Sequence, residues 1–488
     1  MVSAEVAPLA STGELGRSVG GLASALKPLG IDVRVVMPKY RGVKAAAFGL
    51  TRLVPKMKIR TVNRFGETAI YRDELPGDLP VYLIEKDKYF EREYLHGPPG
   101  EAYEDNADRF CFLAICALEM CPQIGFHPDV IHCHDWHTGL IPAYLRTLFR
   151  QDPLYMPITT LYTIHDLIHQ GRFSQEKLSL TGLPESVYTP EGLEFYGGIS
   201  FLKAGIVYAD VLNAESKRYS QEIQTPEYGF GFEGIFRDRS KDLYGVINGV
   251  DYKYYDPRLD SFIAANYTKD EIEKKRVCKR DLLEVCQFDL TVERPLIGMI
   301  APFDEHKGID LLIQVLADLE ALDVQCIFLN NGLLRNNPYA RRLTELAANH
   351  AAHVRCYPEY TQQLEHKILA GADLLLVPSK TEPCGVIQMY GLKYGTIPLV
   401  RATGGLDDTI TDFTMESGKG NGFKFHDYTP AALLSKLREA LAVYRNRSLW
   451  ELVQANAMRA DYSWVYSARK YLDLYKVAMS KAKFGPLP

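Results

Sequence analysis

Residues 380–385, with the sequence KTEPCG, combine residue types that suit the binding of a sugar nucleotide. Glu382 supplies a carboxylate, which can accept hydrogen bonds from sugar or ribose hydroxyls. Pro383 and Gly385 favour a tight turn into a helix, and the backbone N–H groups at a helix start can receive a diphosphate. Because the stretch lies between an apolar run and a Gly-rich loop, it predicts a nucleotide-sugar site directly after a strand.

Four further polar clusters occupy the same kind of position, each directly after a short apolar run. They are HDWHTG at 134–139, HD at 165–166, NGVD at 248–251 and EHKG at 305–308. In sheets of parallel strands, ligands bind at the carboxyl ends of the strands. Five polar clusters at the same end of five strands therefore indicate a ligand site.

Short apolar or β-branched runs alternate with helical patterns along the chain. The clearest runs are 32–37, 80–84, 129–132, 159–163, 296–300, 325–329, 374–378 and 397–400. Continuous apolar strands separated by helices indicate parallel sheets that are covered on both faces. The first group of runs ends near Tyr244, and the second begins after Pro295, behind a charged helical stretch at 269–280. We therefore predict two doubly wound, Rossmann-like α/β domains with a cleft between them.

Composition excludes several classes of function. The chain has 488 residues, a net charge of −5 and a charged fraction of 24%. A negative net charge argues against a nucleic-acid partner, which would require a basic face. No apolar run reaches the ~20 residues of a membrane helix, and the opening MVSAE has no charged-then-apolar leader. We therefore expect no membrane partner and no signal peptide.

The nine cysteines are scattered and form no C-x-x-C pair. Their odd number and spacing argue against a disulfide scaffold and against a zinc site. Free thiols indicate a reducing compartment.

The histidine clusters have plainer explanations as well. A lone histidine after a strand, such as His165, is more often structural than catalytic, but its neighbours in TIHDLIHQG supply hydroxyl-binding donors and acceptors together. His134, Asp135 and His137 have a weak metal-binding spacing, and a polar shell that shapes the site is the favoured interpretation.

Three further features leave alternatives open. Lys307 is predicted in the first turn of a helix at 309–319, where the helix dipole disfavours a cation, so a bound phosphate or a solvated side chain would explain it. Tyr357 is suited either to stacking on a base or to packing. The Gly-rich segment 11–16 is either a phosphate loop or a plain turn into a helix.

The chain resembles the bacterial glycogen synthases and plant starch synthases nearly end to end. The blocks that carry the resemblance are HDWHTGLIPAYL, GGISFLKAGIVYAD, TPEYGFGFEG, INGVDYKYYDP, TEPCGVIQMYGLKYGTIPLVRATGGLDDT and the terminal DYSW. The resemblance implies the GT-B glycosyltransferase fold. Its N-terminal catalytic and acceptor domain would span 1–245, its nucleotide-sugar domain 246–460, and a helix at 461–488 would cross back to the first domain.

By this resemblance, the protein would transfer glucose from ADP-glucose to the non-reducing end of an α-1,4-glucan with retention and without a metal. It would work in a bacterial cytoplasm or, as a mature chain, in a plastid stroma. His165 would contact the transferred glucose, Glu382 would bind its hydroxyls, and Lys307 would neutralise the diphosphate. The implied donor-binding residues are Gly13, Asn248, Tyr357, Cys384, Gly385 and Val386, and the implied sugar pocket contains Asp135, His137 and Asp166.

Three positions depart from the family pattern. The family loop K-T-G-G-L appears here as STGEL, so Ser11 replaces a lysine and Glu14 adds an anion. The family loop S-R-L-x-x-Q-K-G appears as APFDEHKG, so Pro302 replaces the arginine that pairs with the leaving phosphate. Only Met1 and Val2 precede the S-x-E motif, so the first strand is predicted to be nearly absent, through a misassigned start or a truncation.

The two missing cations predict weakened catalysis. A hydrogen bond to a charged group is worth roughly 1.5–3 kcal/mol, so the two losses together would cost about three to four decades in rate. Other cations would have to compensate, and the candidates are Arg17, which is spaced to pair with Glu14, and Lys380, Arg401 and His306. Three functions therefore stay open: a glucan synthase, a transferase with a changed donor or acceptor, and a non-catalytic glucan-binding scaffold.

Overall fold

The computed structural model of the protein describes residues 1–43, 49–332 and 337–482. The chain divides into two compact units. The first comprises Met1–Gly249 together with the chain from Trp464 onward, and the second comprises Val250–Ser463. Among the helices of the described ranges, none has both the length and the apolar character needed to span a membrane.

The first unit is built around one mixed sheet and one parallel sheet. Its strands are β1 (Val35–Pro38), β2 (Thr51–Lys58), β3 (Glu67–Leu75), β4 (Leu79–Ile84), β5 (Val130–His134), β6 (Thr159–Ile164), β7 (Arg172–Ser174), β8 (Glu194–Phe195), β9 (Gly198–Ser200), β10 (Val211–Ala214) and β11 (Leu243–Gly245). The sheet orders are β1-β4-β3-β2, β11-β10-β6-β5 and, for a small antiparallel sheet, β7-β9-β8. Since β5, β6, β10 and β11 run parallel, the residues that follow them lie at a common edge.

Met1–Ser3 occupy the strand position between β1 and β5. The Val2 N–H donates to the His132 carbonyl at 2.8 Å, and the Ser3 N–H donates to the Val36 carbonyl at 3.1 Å. Val2 thereby forms a parallel bridge on each side. As predicted, the first strand is nearly absent, because Val2 alone bridges both neighbours. Its own N–H faces β5, while the Met1 carbonyl and the Ser3 N–H face β1.

Helices cover the sheets of the first unit. They are α1 (Glu14–Leu26), α2 (Asp87–Phe90), α3 (Asn106–Gln123), α4 (Leu140–Arg146), α5 (Leu178–Thr181), α6 (Phe201–Tyr208), α7 (Lys217–Glu222) and α8 (Glu233–Asp238). On α1, Val19, Leu22, Ala23 and Leu26 recur at helical spacing and are all buried, so this face of the helix packs into the core.

The second unit contains one parallel sheet. Its strands are β12 (Leu296–Ala301), β13 (Gln325–Asn330), β14 (Val354–Tyr357), β15 (Leu374–Val377), β16 (Ile397–Arg401) and β17 (Phe423–Phe425), in the order β14-β13-β12-β15-β16-β17. In the sequence of this unit, that order is 3-2-1-4-5-6, the doubly wound pattern whose ligands bind where the order reverses. The reversal lies between β12 and β15.

The helices of the second unit separate these strands, as the right-handed crossovers of a parallel sheet require. They are α9 (Lys275–Val285), α10 (Ile309–Ala321), α11 (Pro338–Asn349), α12 (Gln362–Gly371), α13 (Ile387–Lys393), α14 (Gly404–Thr409), α15 (Pro430–Arg445) and α16 (Arg447–Arg459). The last helix, α17 (Trp464–Lys481), belongs to the first unit and packs against α1.

The predicted α/β class, with parallel sheets in two Rossmann-like units, is confirmed. All eight apolar runs named from the sequence form strands, and each strand begins and ends within three residues of its run. Most of these strands are buried on both faces, which explains why their sequences are continuously apolar rather than alternating.

We expect the contact between α1 and α17 to be sensitive to a single methyl group. A Cβ at Gly21 would lie 2.1 Å from Trp464 Nε1. Gly21→Ala should therefore lower the free energy of unfolding by about 1–3 kcal/mol through overpacking, as measured by urea denaturation.

Gly234 on α8 provides the matched control, since a Cβ there would meet no atom within 4 Å. Gly234→Ala should be neutral or stabilising by about 0.5–1 kcal/mol, as expected for alanine in a helix. Wild-type stability of Gly21→Ala would contradict the packing described here.

Candidate active site

His165 lies directly after β6, and its side chain is buried. Its Nδ1 forms an ion pair with Glu215, the residue that follows β10. The Asn248 Nδ2 group donates a hydrogen bond of 2.6 Å to Glu215 Oε1. Asn248 follows β11, so three neighbouring parallel strands bring these side chains to one edge of the sheet.

Asp135 follows β5 and anchors the backbone of His165. Its Oδ1 accepts a hydrogen bond of 2.9 Å from the His165 N–H. Asp135 has a φ of 56° and a ψ of −178°, a strained conformation that residues other than glycine rarely adopt. Burial raises the pKa of Asp135 to about 6, although the charge of His165 opposes the shift. Asp166 is half-buried and accepts from the Ile168 N–H at 2.5 Å, which closes a local turn.

His165 carries a positive charge at neutral pH. Burial opposes that charge, but the carboxylates of Glu215 and Asp135 outweigh burial and raise the pKa of His165 to about 9. The neighbouring His134 has its Nδ1 3.0 Å from His165 Nε2. Burial lowers the pKa of His134 well below its ordinary value, so this ring stays neutral. The edge of the sheet β11-β10-β6-β5 thus holds one buried cation, His165, between the carboxyl groups of Glu215 and Asp135.

His137 has a different environment from the polar shell that the sequence predicts. Its ring stacks on Trp136 with centroids 4.0 Å apart and meets Phe110 edge-on at 4.6 Å. Burial lowers the pKa of His137 well below its ordinary value. The residue is therefore a neutral member of an aromatic cluster beside the Asp135 turn.

A buried carboxylate holds the N-terminal loop. Glu5 accepts hydrogen bonds from the backbone N–H of Thr12 and from its hydroxyl, the latter at 2.7 Å. The His96 Nε2 also contacts Glu5, at 2.7 Å. Although burial works against ionisation, His96 and Thr12 lower the pKa of Glu5. Glu5 thus anchors the loop through its contacts with Thr12.

The loop then leads through Gly13 into α1. A Cβ at Gly13 would meet no heavy atom within 4 Å apart from its chain neighbours, so the backbone faces open space. The Ser11 hydroxyl donates to the Gly13 carbonyl at 3.0 Å. Glu14 and Arg17 form the ion pair that their spacing predicts, with 3.6 Å between Oε2 and Nε.

In the second unit, the loops after β12 and β15 meet where the strand order reverses. Lys307 Nζ lies 2.8 Å from both carboxylate oxygens of Glu382. The Ser379 hydroxyl donates to Glu382 Oε2 at 2.9 Å. The cation and the carboxylate that the sequence singled out therefore lie side by side, at the position where doubly wound sheets bind their ligands.

The prediction that Lys307 lies in the first turn of a helix is wrong. Lys307 ends a 3₁₀ turn, Glu305–Lys307, and Gly308, with a φ of 79°, separates that turn from α10. The Lys307 N–H donates to Asp304 Oδ1 at 3.1 Å. Lys307 therefore precedes the helix rather than lying in its first turn. The ion pair with Glu382 explains why a cation stands at this position.

Two glycines hold the turn that carries Glu382. The Gly405 N–H donates to the Glu382 carbonyl at 3.0 Å. A Cβ at Gly404 would lie 1.9 Å from the Glu382 carbonyl oxygen, and a Cβ at Gly405 would lie 1.8 Å from that of Cys384. Only residues without a side chain permit so close an approach of two backbones.

The other donor-binding residues implied for this unit also follow or end strands of its sheet. Cys384, Gly385 and Val386 lead from β15 into α13, and Gly385 takes a left-handed φ of 68°. Tyr357 is the last residue of β14 and is half-buried. Burial raises the pKa of Tyr357, so its hydroxyl is neutral and its ring is a suitable stacking surface.

Three of the four cations named as substitutes lie around the same turn, namely Lys380, Arg401 and His306, whereas Arg17 lies on α1 of the first unit. Lys380 pairs with Glu305 at 2.8 Å, and its N–H donates to the His306 carbonyl at 2.9 Å. Arg401 donates to the Lys380 carbonyl at 2.7 Å, and its guanidinium lies 5.4 Å from the centre of the Tyr428 ring. Each of the three has a contact that stabilises the turn itself.

Within the described ranges, no group of three or more His, Cys, Asp or Glu side chains is arranged to hold a metal ion. The H-D-x-H cluster does not converge on one point. His134 contacts His165, Asp135 binds the His165 backbone, and His137 stacks on Trp136.

Comparison with known proteins decides the family. Residues 1–238 match the model for the starch synthase catalytic domain, and residues 287–450 match the model for glycosyl transferases group 1. The glycogen synthase of Moorella thermoacetica is 42% identical over 487 residues, which cover 99% of this chain and 97% of that protein. The chain belongs to the glycogen and starch synthase family. The glycogen synthase of Syntrophotalea carbinolica is 40% identical over 98% of each chain.

A solved member of the family has the same fold. The catalytic domain of starch synthase IV from Arabidopsis thaliana, bound to ADP and acarbose, superposes with a TM-score of 0.87. It is 29% identical and covers 98% of both chains. The GT-B fold and the family resemblance predicted from the sequence are both confirmed.

Glu215 is the residue that the sequence-based predictions missed. It directly follows β10. Like the five clusters, it is a polar residue at the carboxyl end of a parallel strand, where ligands bind. The short run VLNA at 211–214 was the available signal. A single acid after four residues is weaker evidence than a cluster such as HDWHTG.

We expect His165 to make the stability of the protein depend on pH. Its folded pKa of about 9 lies above the ordinary value of 6.5, so its pairing contributes stability that is fully present below pH 6.5 and lost as the pH rises through about 9. The difference in unfolding free energy between the wild type and His165→Gln should therefore shrink across this interval, as measured by urea denaturation at stepped pH.

His127→Gln is the control, because His127 is an exposed residue of the same unit. The difference in unfolding free energy between the wild type and His127→Gln should stay constant across this pH interval. A constant difference for His165→Gln would show that the ring is not charged in the folded protein.

Proposed function

We propose that this protein transfers glucose from ADP-glucose to the non-reducing end of an α-1,4-glucan, with retention of configuration. Family membership over nearly the whole chain supports the reaction class. Support for the nucleotide and for the glucan comes from the related starch synthase IV, which was solved bound to ADP and acarbose.

The observation that carries this proposal is the pair formed by Lys307 and Glu382 at the reversal of the second sheet. A sugar nucleotide presents a diphosphate beside an array of hydroxyls. An ammonium group binds the first, and a carboxylate accepts hydrogen bonds from the second. Lys307 and Glu382 neutralise each other at 2.8 Å. A bound donor would place its phosphate against Lys307 and its hydroxyls against Glu382, and each side chain would exchange its present partner for the donor.

In the transfer, the bond between the anomeric carbon and the diphosphate breaks, and negative charge grows on ADP. We assign Lys307 to that charge and Glu382 to the orientation of the glucose. The imidazolium of His165 provides a buried positive charge beside the sugar. The oxygen of a 4-hydroxyl at the glucan end forms the new bond at the same face of the carbon, and the hydroxyl proton passes to the departing diphosphate.

The remaining assignments follow the family positions. The backbone of Gly13 and of residues 384–386 would approach the donor, and Tyr357 would stack on adenine. Asn248, Asp135, His137 and Asp166 would shape the sugar pocket. We infer that no metal takes part, because side-chain cations and backbone N–H groups meet the charge of the diphosphate.

We further propose that the protein acts in a reducing compartment such as a bacterial cytoplasm. All nine cysteines lie in the described ranges and are free thiols. Eight of them are buried, and burial raises the pKa of several, including Cys111 to about 12, so they behave as apolar core residues.

The first test is the incorporation of labelled glucose from ADP-glucose into glycogen by the purified protein in the presence of EDTA. We expect turnover in the wild type and its loss by at least about a thousandfold in Glu382→Ala, since an acid that orients the reacting sugar contributes several kcal/mol. Glu293→Ala is the matched control, because Glu293 is an exposed acid of the same unit that pairs with Arg276.

Wild-type turnover in Glu382→Ala would show that the site lies elsewhere. No incorporation by the wild type, together with retardation of the protein in a glycogen affinity gel, would support a glucan-binding scaffold. Incorporation from another nucleotide sugar alone would support a changed donor.

We expect the two replaced cations to limit the rate. Ser11→Lys and Pro302→Arg should each raise kcat by roughly 10- to 100-fold, which corresponds to 1.5–3 kcal/mol for a bond to the charged leaving group. Ser11→Met and Pro302→Met add comparable bulk without charge and should have no such effect. Unchanged kcat in both charged variants would mean that the diphosphate is already neutralised.

A further inference from the structure

Glu215 is a buried acid at the edge of the sheet β11-β10-β6-β5 in the first unit. It is 3% exposed, and among the described residues no Lys or Arg side chain lies within ion-pair distance of it. Its contacts are His165 Nδ1 and Asn248 Nδ2, the latter at 2.6 Å. The imidazole of His165 is thus its one described partner able to carry a positive charge.

A carboxylate in such a place needs a cation, because the cost of removing it from water is several kcal/mol unless it is paired. The imidazolium of His165 is also buried, so it needs a negatively charged partner for the same reason. Asn248 satisfies one lone pair of the acid but brings no charge. The geometry therefore couples the charge of Glu215 to that of His165.

Other titratable groups also face His165, and none of them supplies the same contact. They are Asp135 after β5, His132 and His134 on β5, His137 in the following turn, and Glu14 at the start of α1. Burial keeps the three other histidines neutral, because it lowers the pKa of each well below its ordinary value. Asp135 binds the backbone N–H of His165 rather than its ring.

We propose that Glu215 is the positioning residue of His165: it orients the ring through Nδ1 and keeps the imidazole protonated at neutral pH. This inference rests on the proposed function, in which His165 contacts the transferred glucose. Glu215 itself contacts Nδ1 of the ring and acts through it. The pair supplies a fixed positive charge on a chain in which Ser11 and Pro302 stand where the family has cations.

The test is the pH dependence of glucose transfer in Glu215→Gln. Glutamine keeps an oxygen acceptor for Nδ1 and for Asn248, so the change removes the charge and preserves the shape. If the pKa of His165 falls from about 9 to the ordinary value of 6.5, the charged fraction at pH 7.5 falls about tenfold. We expect kcat to fall by that factor at pH 7.5 and to recover to within about twofold of the wild type at pH 6.0.

Two comparisons separate this role from a purely structural one. Glu222→Gln removes another buried acid, which pairs with Arg218 on α7, and should leave the pH profile unchanged. Glu215→Asp retains the charge and should keep the alkaline limb of the wild type. A loss in Glu215→Gln by the same factor at pH 6.0 and pH 7.5 would overturn the proposal.

A second measurement needs no activity. In protein labelled with ¹³Cε1-histidine, the resonance of His165 is assigned with the His165→Gln variant and titrated by NMR. A midpoint near 9 in the wild type that falls to 6.5 or below in Glu215→Gln supports the proposal. A wild-type midpoint at or below 6.5 overturns it, even if Glu215→Gln does not fold. If the wild type fails to transfer glucose, the proposed function fails, and this titration still decides the role of Glu215.

Discussion

Parallel strands end at a common edge, and that constraint brings together nearly all the side chains to which we assign chemistry. In the first unit, it collects residues that follow β5, β6, β10 and β11; in the second, residues that follow β12 and β15. Lys307 and Glu382 are 75 positions apart in the chain and 2.8 Å apart in space. The reversal of strand order between β12 and β15 sends their helices to opposite faces, which leaves room for a ligand between the two loops.

Buried charge requires a partner, and the two units meet that requirement differently. His165 and Glu215 are nearly inaccessible, so each depends on the other and their arrangement is fixed before any substrate binds. The side chains of Lys307 and Glu382 are 25% and 11% exposed. Solvent screens this second pair more, so the energy lost in separating it is smaller. The first pair is suited to positioning, and the second is suited to exchanging its partner for a phosphate and a hydroxyl.

The departures from the family pattern change charge more than they change architecture. In the N-terminal loop, Glu5 accepts two hydrogen bonds from Thr12, and the Ser11 hydroxyl donates to the Gly13 carbonyl. The loop that contains Pro302 is held by two backbone N–H groups, because that of Phe303 donates to Asn330 Oδ1 at 3.2 Å and that of Lys307 donates to Asp304 Oδ1 at 3.1 Å. Both loops therefore keep their positions although lysine and arginine are replaced, and for this reason the effect of those replacements is expected in the rate of transfer rather than in the fold.

The sequence by itself determined the α/β class, the eight principal strands and the family, because these depend on local apolar runs and on motifs of contiguous residues. It also identified His165, Lys307 and Glu382, since each lies in such a motif. Only the tertiary structure decided that Glu215 is the partner of His165 and that Lys307 pairs with Glu382. Those contacts join distant segments, and the identity of a partner across a sheet edge depends on strand order, which no local pattern contains.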